Sequence, residues 1–170
     1  PVFFFFFALS KEVEKARLYI CGLGLYEAYI NGRKAGDELL TPYSNNYHAW
    51  LQYQTYDVTE LLTQASAAEE PEAQKPLAQE SASRKQSGQG TAELEVWLGN
   101  GWYKGRFSYD DSTGKGYYGD DWKLIAELRV SYADGSSQVF GTDGSWQMRF
   151  GNITDSNLYD GEHVDDTLPR

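Results

Sequence analysis

Amide and aromatic side chains occur together in two short stretches of this 170-residue sequence. One surrounds Asn45-Asn46, and the other is Gly99–Arg106. Amide groups hydrogen-bond to sugar hydroxyls, and an aromatic ring offers an apolar surface to the C–H face of a pyranose. Both stretches are therefore candidate carbohydrate-binding sites. The candidate residues are Asn45, Asn46, Asn100, Trp102 and Tyr103.

Each stretch also has an ordinary structural interpretation. Asparagine accepts left-handed turn conformations, so Asn45-Asn46 also fits a plain loop. The glycines of Gly99–Arg106 also fit a β-bulge whose Trp102 lies in the core. The residue types alone leave both alternatives open.

Two acidic pairs, Asp110-Asp111 and Asp120-Asp121, bracket a stretch rich in Gly and Tyr. Carboxylate and carbonyl oxygens are the ligands that Ca²⁺ prefers, so calcium is the cofactor these residues suggest. Their spacing does not match an EF-hand, and a solvated acidic loop is the alternative. The candidate metal ligands are Asp110, Asp111 and Asp120.

No sequence feature identifies one pair of acidic residues as catalytic. Glycoside hydrolysis needs two carboxylates at a defined separation. Glu162, Asp165 and Asp166 lie close together in the sequence, but so do many other acids of this chain. Nucleophile-elbow, phosphate-loop and dinucleotide motifs are absent from the sequence. We therefore predict no catalytic residue in this chain.

Composition excludes several classes of function. Fifteen Lys and Arg against 25 Asp and Glu give a net charge of -10, which disfavours nucleic acid as a partner. No apolar run approaches the roughly 20 residues that span a bilayer, so no membrane interaction is expected. One Cys and two His exclude a disulfide scaffold and a multi-His metal site.

Alternation of apolar and polar residues is the dominant pattern, and it indicates strands. It is clear in Glu93–Leu98 and Ala126–Val130, and we also expect Trp146, Met148 and Phe150 to face inward. Asn31-Gly32 and Asp134-Gly135 are hairpin turn signals. A short helical turn is predicted at 57–62, with Asp57 as its cap. About eight or more short strands predict an all-β fold, an antiparallel, jelly-roll-like β-sandwich.

Residues 66–90 interrupt this pattern. They are rich in Ala, Gln, Glu and Ser, with Leu77 the only large apolar side chain. Such a segment buries too little apolar surface to offset its ordering entropy. We interpret it as a long, flexible polar surface loop within one domain covering residues 1–170. We expect the chain to be a piece of a larger protein.

Five segments, in this order, carry a family resemblance: Ala16–Ile20, Gly22–Gly32, Leu51–Thr59, Leu98–Tyr103, and Leu158–Glu162 followed by Asp165. In them the sequence resembles the amino-terminal β-sandwich of bacterial α-L-rhamnosidases. The resemblance covers about residues 8–168, outside the 66–90 loop. That loop is longer than the family's usual turn, and the Phe3–Phe7 run differs from the opening expected for the family.

The resemblance implies that the parent protein is a modular glycoside hydrolase. The family's catalytic carboxylates lie on a separate (α/α)₆ barrel, which this sequence does not contain. Related sandwich modules bind L-rhamnose with calcium, whereas others only brace the barrel. The favoured expectation is a non-catalytic accessory domain that binds rhamnose-containing carbohydrate, with a purely structural domain as the alternative. By analogy, the parent enzyme is expected to be exported or periplasmic.

Overall fold

A computed structural model describes residues 1–63, 90–106 and 115–168. Strands dominate, and both helices are single turns. In chain order the elements are β1 (Val2–Leu9), β2 (Val13–Gly22), β3 (Leu25–Ile30), β4 (Arg33–Lys34), β5 (Gln54–Asp57), α1 (Thr59–Thr63), β6 (Gly90–Gly99), α2 (Gly101–Lys104), β7 (Leu124–Tyr132), β8 (Ser137–Gly141), β9 (Gln147–Arg149), β10 (Ile153–Asn157) and β11 (Gly161–Val164). No helix among these elements is long and apolar enough to cross a membrane.

The strands form two sheets and a separate hairpin. The five-stranded sheet has the order β4-β3-β6-β1-β9, and the four-stranded sheet has the order β5-β2-β7-β8. Strands β10 and β11 pair only with each other. Each of these strand pairs is antiparallel. The prediction of an all-β, sandwich-like fold is confirmed.

The core lies between the two sheets. The apolar side chains of the alternating stretches face it. In β6 the predicted inward residues Leu94, Val96 and Leu98 are buried, while the intervening side chains are half-buried on the outer face. In β7 the buried set is Ala126, Leu128 and Val130, as predicted. The period of two therefore places apolar side chains on the core face of each sheet.

The residues that the sequence predicts in turns do lie in turns. Asn31 and Gly32 have φ values of 51° and 76°, which join β3 to β4 in a tight hairpin. Gly135 has a φ of 82° in the turn between β7 and β8. These turns fix the strand register on either side of them.

Strand β1 consists mainly of the run Phe3–Phe7. Phe7 is buried, and its ring centroid lies 4.8 Å from that of Phe140 in β8. Phe5 stacks on Trp146 with centroids 5.6 Å apart. Phe6 points away from the core and is exposed. The run is therefore an ordinary two-faced strand, although its sequence shows no alternation.

Three local predictions are corrected. Met148 and Phe150 are exposed, because β9 is a three-residue edge strand whose side chains gain little cover and Phe150 lies beyond its end. The short helix spans Thr59–Thr63, so it begins two residues later than predicted, whereas the predicted cap is confirmed, since the Asp57 side chain accepts the Thr59 N–H. Gly99–Arg106 contains the helical turn α2 rather than a β-bulge. The predicted 66–90 loop lies outside the described residues, apart from Gly90 at the start of β6.

Candidate functional site

The base of the candidate site is a close approach between two glycine-containing backbone segments. Gly24, between β2 and β3, has a φ of 137°, and a Cβ there would overlap the carbonyl oxygen of Gly99. Gly101, at the start of α2, has a φ of 52°, and its Cβ would lie 2.7 Å from the backbone nitrogen of Leu25. Glycine at both positions allows the turn and α2 to touch. This contact defines one end of the sandwich.

Loop residues 41–50 pack against this end. The loop begins where the Tyr26 N–H donates to the Thr41 carbonyl at 2.9 Å. Further along, the Tyr47 ring lies 5.3 Å from the Tyr103 ring of α2. The structure therefore brings the Asn45-Asn46 stretch beside the Asn100–Tyr103 stretch, although some 55 residues separate them in the sequence.

The two adjacent asparagines differ in their surroundings. Asn45 is only 8% exposed. Its amide Nδ2 donates to the Tyr43 carbonyl at 3.2 Å, while its buried Oδ1 has no hydrogen-bond partner. Asn46 is exposed, and its Oδ1 accepts the His48 N–H at 3.2 Å in a local turn. A buried acceptor without a partner is unfavourable. Asn45 Oδ1 is therefore the amide oxygen that a hydrogen-bond donor of a ligand would stabilise.

Tyr47 is the second group with an unsatisfied polar atom here. Its hydroxyl is buried without a hydrogen-bond partner. Burial raises the pKa of Tyr47 to about 12, with smaller contributions from Cys21 and Tyr118. The hydroxyl is therefore protonated at neutral pH and available as a hydrogen-bond donor or acceptor.

Five rings in successive contact extend from α2 to the surface, and we call them the aromatic ladder. Its members are Tyr103, Tyr47, Tyr118, His48 and Tyr117. Tyr103 is buried at one end, and Tyr117 is half exposed at the other. The ladder joins the loop 41–50 to the segment 115–122.

Lys104 holds the segment 115–122 against α2. Its Nζ donates to the Asp120 carbonyl at 2.5 Å and lies 4.5 Å from the Trp122 ring centroid. Its own carbonyl accepts the Gly116 N–H at 2.8 Å. A Cβ on Gly116 would overlap a carboxylate oxygen of Asp120, so the Asp120 side chain folds back over this glycine.

The β10–β11 hairpin also contacts α2 and the segment 115–122. Asp155 accepts from Asn100 Nδ2 at 3.1 Å and from Lys115 Nζ at 3.0 Å. The hydrogen bond from Lys115 is the main cause that lowers the pKa of Asp155. Arg106 forms a 2.7 Å ion pair with Asp160. The polar face of α2 is thus tied to the hairpin through charged groups.

The predicted site residues are partly brought together. Asn45, Asn46, Asn100 and Tyr103 lie around the same end of the sandwich. Trp102 is half-buried on α2, and its ring contacts no other aromatic ring among the described residues. Asp110 and Asp111 lie outside the described residues, whereas Asp120 is exposed. Within residues 1–63, 90–106 and 115–168, no group of three or more His, Cys, Asp or Glu side chains could hold a metal ion.

Sequence reasoning missed three residues that shape this site. Lys104, Tyr118 and Asp155 make contacts between segments distant in the sequence. The Tyr and Gly content of residues 116–119 is a signal in the sequence, although the flanking acids indicate only an acidic loop there. Nothing in the local sequence marks Lys104 or Asp155.

Two facing antiparallel sheets with a polar and aromatic cluster at one end define this chain as a β-sandwich module. The chain belongs to the α-L-rhamnosidase N-terminal domain family, which it matches over residues 11–69 and 84–169. An α-L-rhamnosidase of Streptomyces avermitilis is 34% identical over 155 residues, which are 91% of this chain and 12% of that protein. The chain thus spans about one eighth of that relative's length.

Two crystal structures are similar to the fold. The α-L-rhamnosidase of Aspergillus terreus superposes with a TM-score of 0.78 at 36% identity, over 99% of this chain and 16% of that one. The Streptomyces avermitilis α-L-rhamnosidase complexed with L-rhamnose gives a TM-score of 0.77 at 33% identity, over 99% of this chain and 14% of that one. The domain is thus a small part of larger enzymes.

Proposed function

We propose that this chain is a non-catalytic accessory domain that binds rhamnose-containing carbohydrate at the end of the sandwich formed by loop 41–50 and α2. The observation that carries the proposal is the Oδ1 of Asn45, a buried acceptor without a partner beside the aromatic ladder. A sugar hydroxyl would supply the missing donor. We further propose that the parent is a glycoside hydrolase whose catalytic barrel is the domain's partner.

The chemistry of a 6-deoxyhexose suits this end. Such a sugar carries a methyl group and vicinal hydroxyls, so it needs both an apolar surface and directional hydrogen bonds. Trp102 supplies a half-buried ring beside the buried Tyr103, and Asn45 supplies an amide oxygen without a partner. Asn46 Oδ1 and Asn100 Nδ2 already have partners within the chain, so these two amides would contribute through their other polar atoms. The bound L-rhamnose named for the Streptomyces avermitilis enzyme supports this class of sugar. Buried amides that lose a partner are penalised, which would make such a site selective.

Calcium is proposed as a cofactor from the residue types of the sequence, since the described residues contain no group of three or more His, Cys, Asp or Glu side chains that could hold a metal ion. Ca²⁺ prefers neutral and charged oxygens, and Asn45 Oδ1 is a buried oxygen without a hydrogen bond. Asp120 adds an exposed carboxylate on the adjoining segment, and Asp110 and Asp111 remain candidates from the sequence. A bound calcium ion would supply positive charge to coordinate hydroxyl oxygens. Asn45 would then orient the sugar by holding the ion as well as a hydroxyl.

Titration of the chain with L-rhamnose is the direct test. We expect calcium-dependent NMR shifts with a Kd of roughly 0.1–1 mM, equivalent to about 4–5.5 kcal/mol. Asn45→Ala should weaken binding at least about fivefold, because a lost buried hydrogen bond costs about 1–3 kcal/mol. Trp102→Ala and a chelator should also weaken it. Asn152→Ala is the control for the loss of a buried asparagine, since Asn152 is buried to a similar extent and directly precedes β10.

If the NMR shifts induced by L-rhamnose stay the same with the chelator, in Asn45→Ala and in Trp102→Ala, then the sugar binds elsewhere on the domain. A complete absence of shifts would favour the alternative role, in which the domain only braces the barrel of the parent enzyme.

The isolated chain is expected not to hydrolyse aryl α-L-rhamnosides. A binding role requires no catalytic acid. Glu162, an acid near the carboxyl end, is exposed on the β10–β11 hairpin. A chromogenic rhamnoside at high protein concentration provides the assay. Turnover that survives repurification and disappears in Glu162→Gln would show that the chain is itself an enzyme.

A further inference from the structure

Four side chains form a two-by-two block on the outer face of the five-stranded sheet. In the register of β6 with β3, Trp97 lies opposite Glu27, and Glu95 lies opposite Tyr29. All four are half-buried, whereas the residues that alternate with them along both strands are buried in the core. Opposite residues, and residues two apart on one strand, share a face of the sheet. The block therefore alternates two aromatic rings with two carboxylates at the surface, and we call it the ring–carboxylate block.

Each ring of the block is held by the carboxylate of its own strand. Trp97 Nε1 donates to Glu95 Oε1, and the Tyr29 hydroxyl donates to Glu27 Oε2, each at 2.5 Å. No aromatic ring of the described residues is in contact with Trp97 or Tyr29. Because both rings are only half-buried, a ligand can reach part of each ring. The hydrogen bonds orient the rings before a ligand arrives, which lowers the ordering cost of binding.

Glu27 is the carboxylate of the block with acceptor capacity left for a ligand. Its Oε1 accepts from Lys34 Nζ at 2.5 Å, and its Oε2 accepts from Tyr29. Burial opposes the ionisation of Glu27, but these two hydrogen bonds bring its pKa below its ordinary value. A carboxylate has about four acceptor positions, so about two remain on Glu27, whose side chain is 40% exposed. Sugar hydroxyls can therefore donate to it.

We propose that the ring–carboxylate block is a further carbohydrate-binding site, which takes a neutral, extended glycan of equatorially substituted pyranoses. The charges of its two carboxylates are balanced by Lys34 and by Arg149, whose Nη2 donates to Glu95 Oε2 at 3.2 Å. This balance favours a neutral ligand over a charged one. The inference does not depend on the site at the end of the sandwich.

The spacing of the two rings sets the size of the ligand. Trp97 and Tyr29 are diagonal neighbours across β6 and β3, which places their Cα atoms roughly 7–8 Å apart. A β-D-glucopyranose has all its ring substituents equatorial, so its two faces present C–H groups that pack on aromatic rings. A β-(1→4)-linked disaccharide of this sugar is extended, and it can lie across both rings with a hydroxyl donating to Glu27.

Titration of cellobiose into the full chain tests the block, with a chelator present and the indole N–H signals followed by NMR. The chain has five Trp residues, and the signal that is missing from Trp97→Phe identifies Trp97. We expect cellobiose to shift that signal with a Kd of roughly 1 mM. Tyr29→Ala should weaken binding about two- to tenfold through the lost ring contact. Glu27→Gln should weaken it at least about threefold through the lost charged acceptor.

Tyr19→Ala is the matched control. Tyr19 is a half-buried tyrosine on the outer face of the other sheet, opposite Glu127 of β7. Its loss should leave the affinity for cellobiose within about twofold, because it shares no partner with the block. Thermal unfolding shows whether each variant is folded. If Tyr29→Ala is not folded, Glu27→Gln decides, since it keeps the shape of the side chain.

No shift of the Trp97 signal at roughly 10 mM cellobiose overturns this site, as does an affinity that neither Tyr29→Ala nor Glu27→Gln lowers. The block would then only stabilise the sheet, and L-rhamnose binding that persists would leave the proposed function standing. Cellobiose binding that is lost in Asn45→Ala would place the disaccharide at the end of the sandwich and also overturns the site. Cellobiose binding that persists in Asn45→Ala, where L-rhamnose binding is weakened, supports two separate sites.

Discussion

Gly24→Ala is expected to lower the free energy of unfolding by about 2–6 kcal/mol. Two penalties combine at this residue. The φ of 137° is strained for alanine, at about 1–3 kcal/mol. In addition, the new Cβ would overlap the Gly99 carbonyl oxygen, so backbone must move, at about 1–3 kcal/mol. Thermal unfolding should shift down by roughly 4–24 °C, since about 2–4 °C corresponds to 1 kcal/mol at this size.

Gly90→Ala separates these two penalties. Gly90 has a φ of 136°, nearly identical to that of Gly24, but a Cβ there would meet no atom of the described residues within 4 Å. It should therefore show only the conformational cost. Equal shifts in the two variants would mean that the turn and α2 are not in close contact. A larger shift in Gly24→Ala, together with weaker sugar binding, would support the described base of the site.

Phe7→Ala is expected to destabilise the chain by about 3–5 kcal/mol, as for other buried phenylalanines. Phe7 is 4% exposed, and its ring contacts Phe140 at 4.8 Å and Phe5 at 5.8 Å. Its removal would open a cavity between β1 and β8, where the two sheets face each other. Chemical denaturation monitored by tryptophan fluorescence would measure the loss.

The neighbouring Phe6→Ala should cost less than about 1 kcal/mol, because its side chain is exposed on the outer face. The two variants remove the same group from consecutive positions of one strand. A similar loss in both would indicate that β1 does not hold the register that pairs Phe7 with Ala92.

Much of the fold was predictable from the sequence, because alternation and turn residues act locally. Leu94, Val96 and Leu98 alternate with polar residues or Trp97, and each proved buried. The same reasoning could not resolve Phe3–Phe7, where every residue is identical. It was wrong for Met148, because burial at an edge strand depends on what the opposing sheet covers.

The candidate site was predictable in part. Amides beside aromatics directed attention to Asn45 and Tyr103, and the fold brings their segments together. The contacts made by Lys104 and Asp155 were not predictable, since they join segments that only the folded topology makes adjacent. The buried, unsatisfied state of Asn45 Oδ1 is likewise a property of the packed loop.

The place of β1 within its sheet has a consequence for synthesis in the cell. Its main partner, β6, ends roughly 90 residues later, at Gly99. At a synthesis rate of about 5–20 residues per second, several seconds pass between the synthesis of β1 and the synthesis of β6. During this time the phenylalanine-rich strand has no partner strand. Unpaired apolar strands of this kind are sites of aggregation. We therefore expect the nascent chain to be most prone to aggregation before residue 99 emerges, and slower synthesis to lengthen that interval.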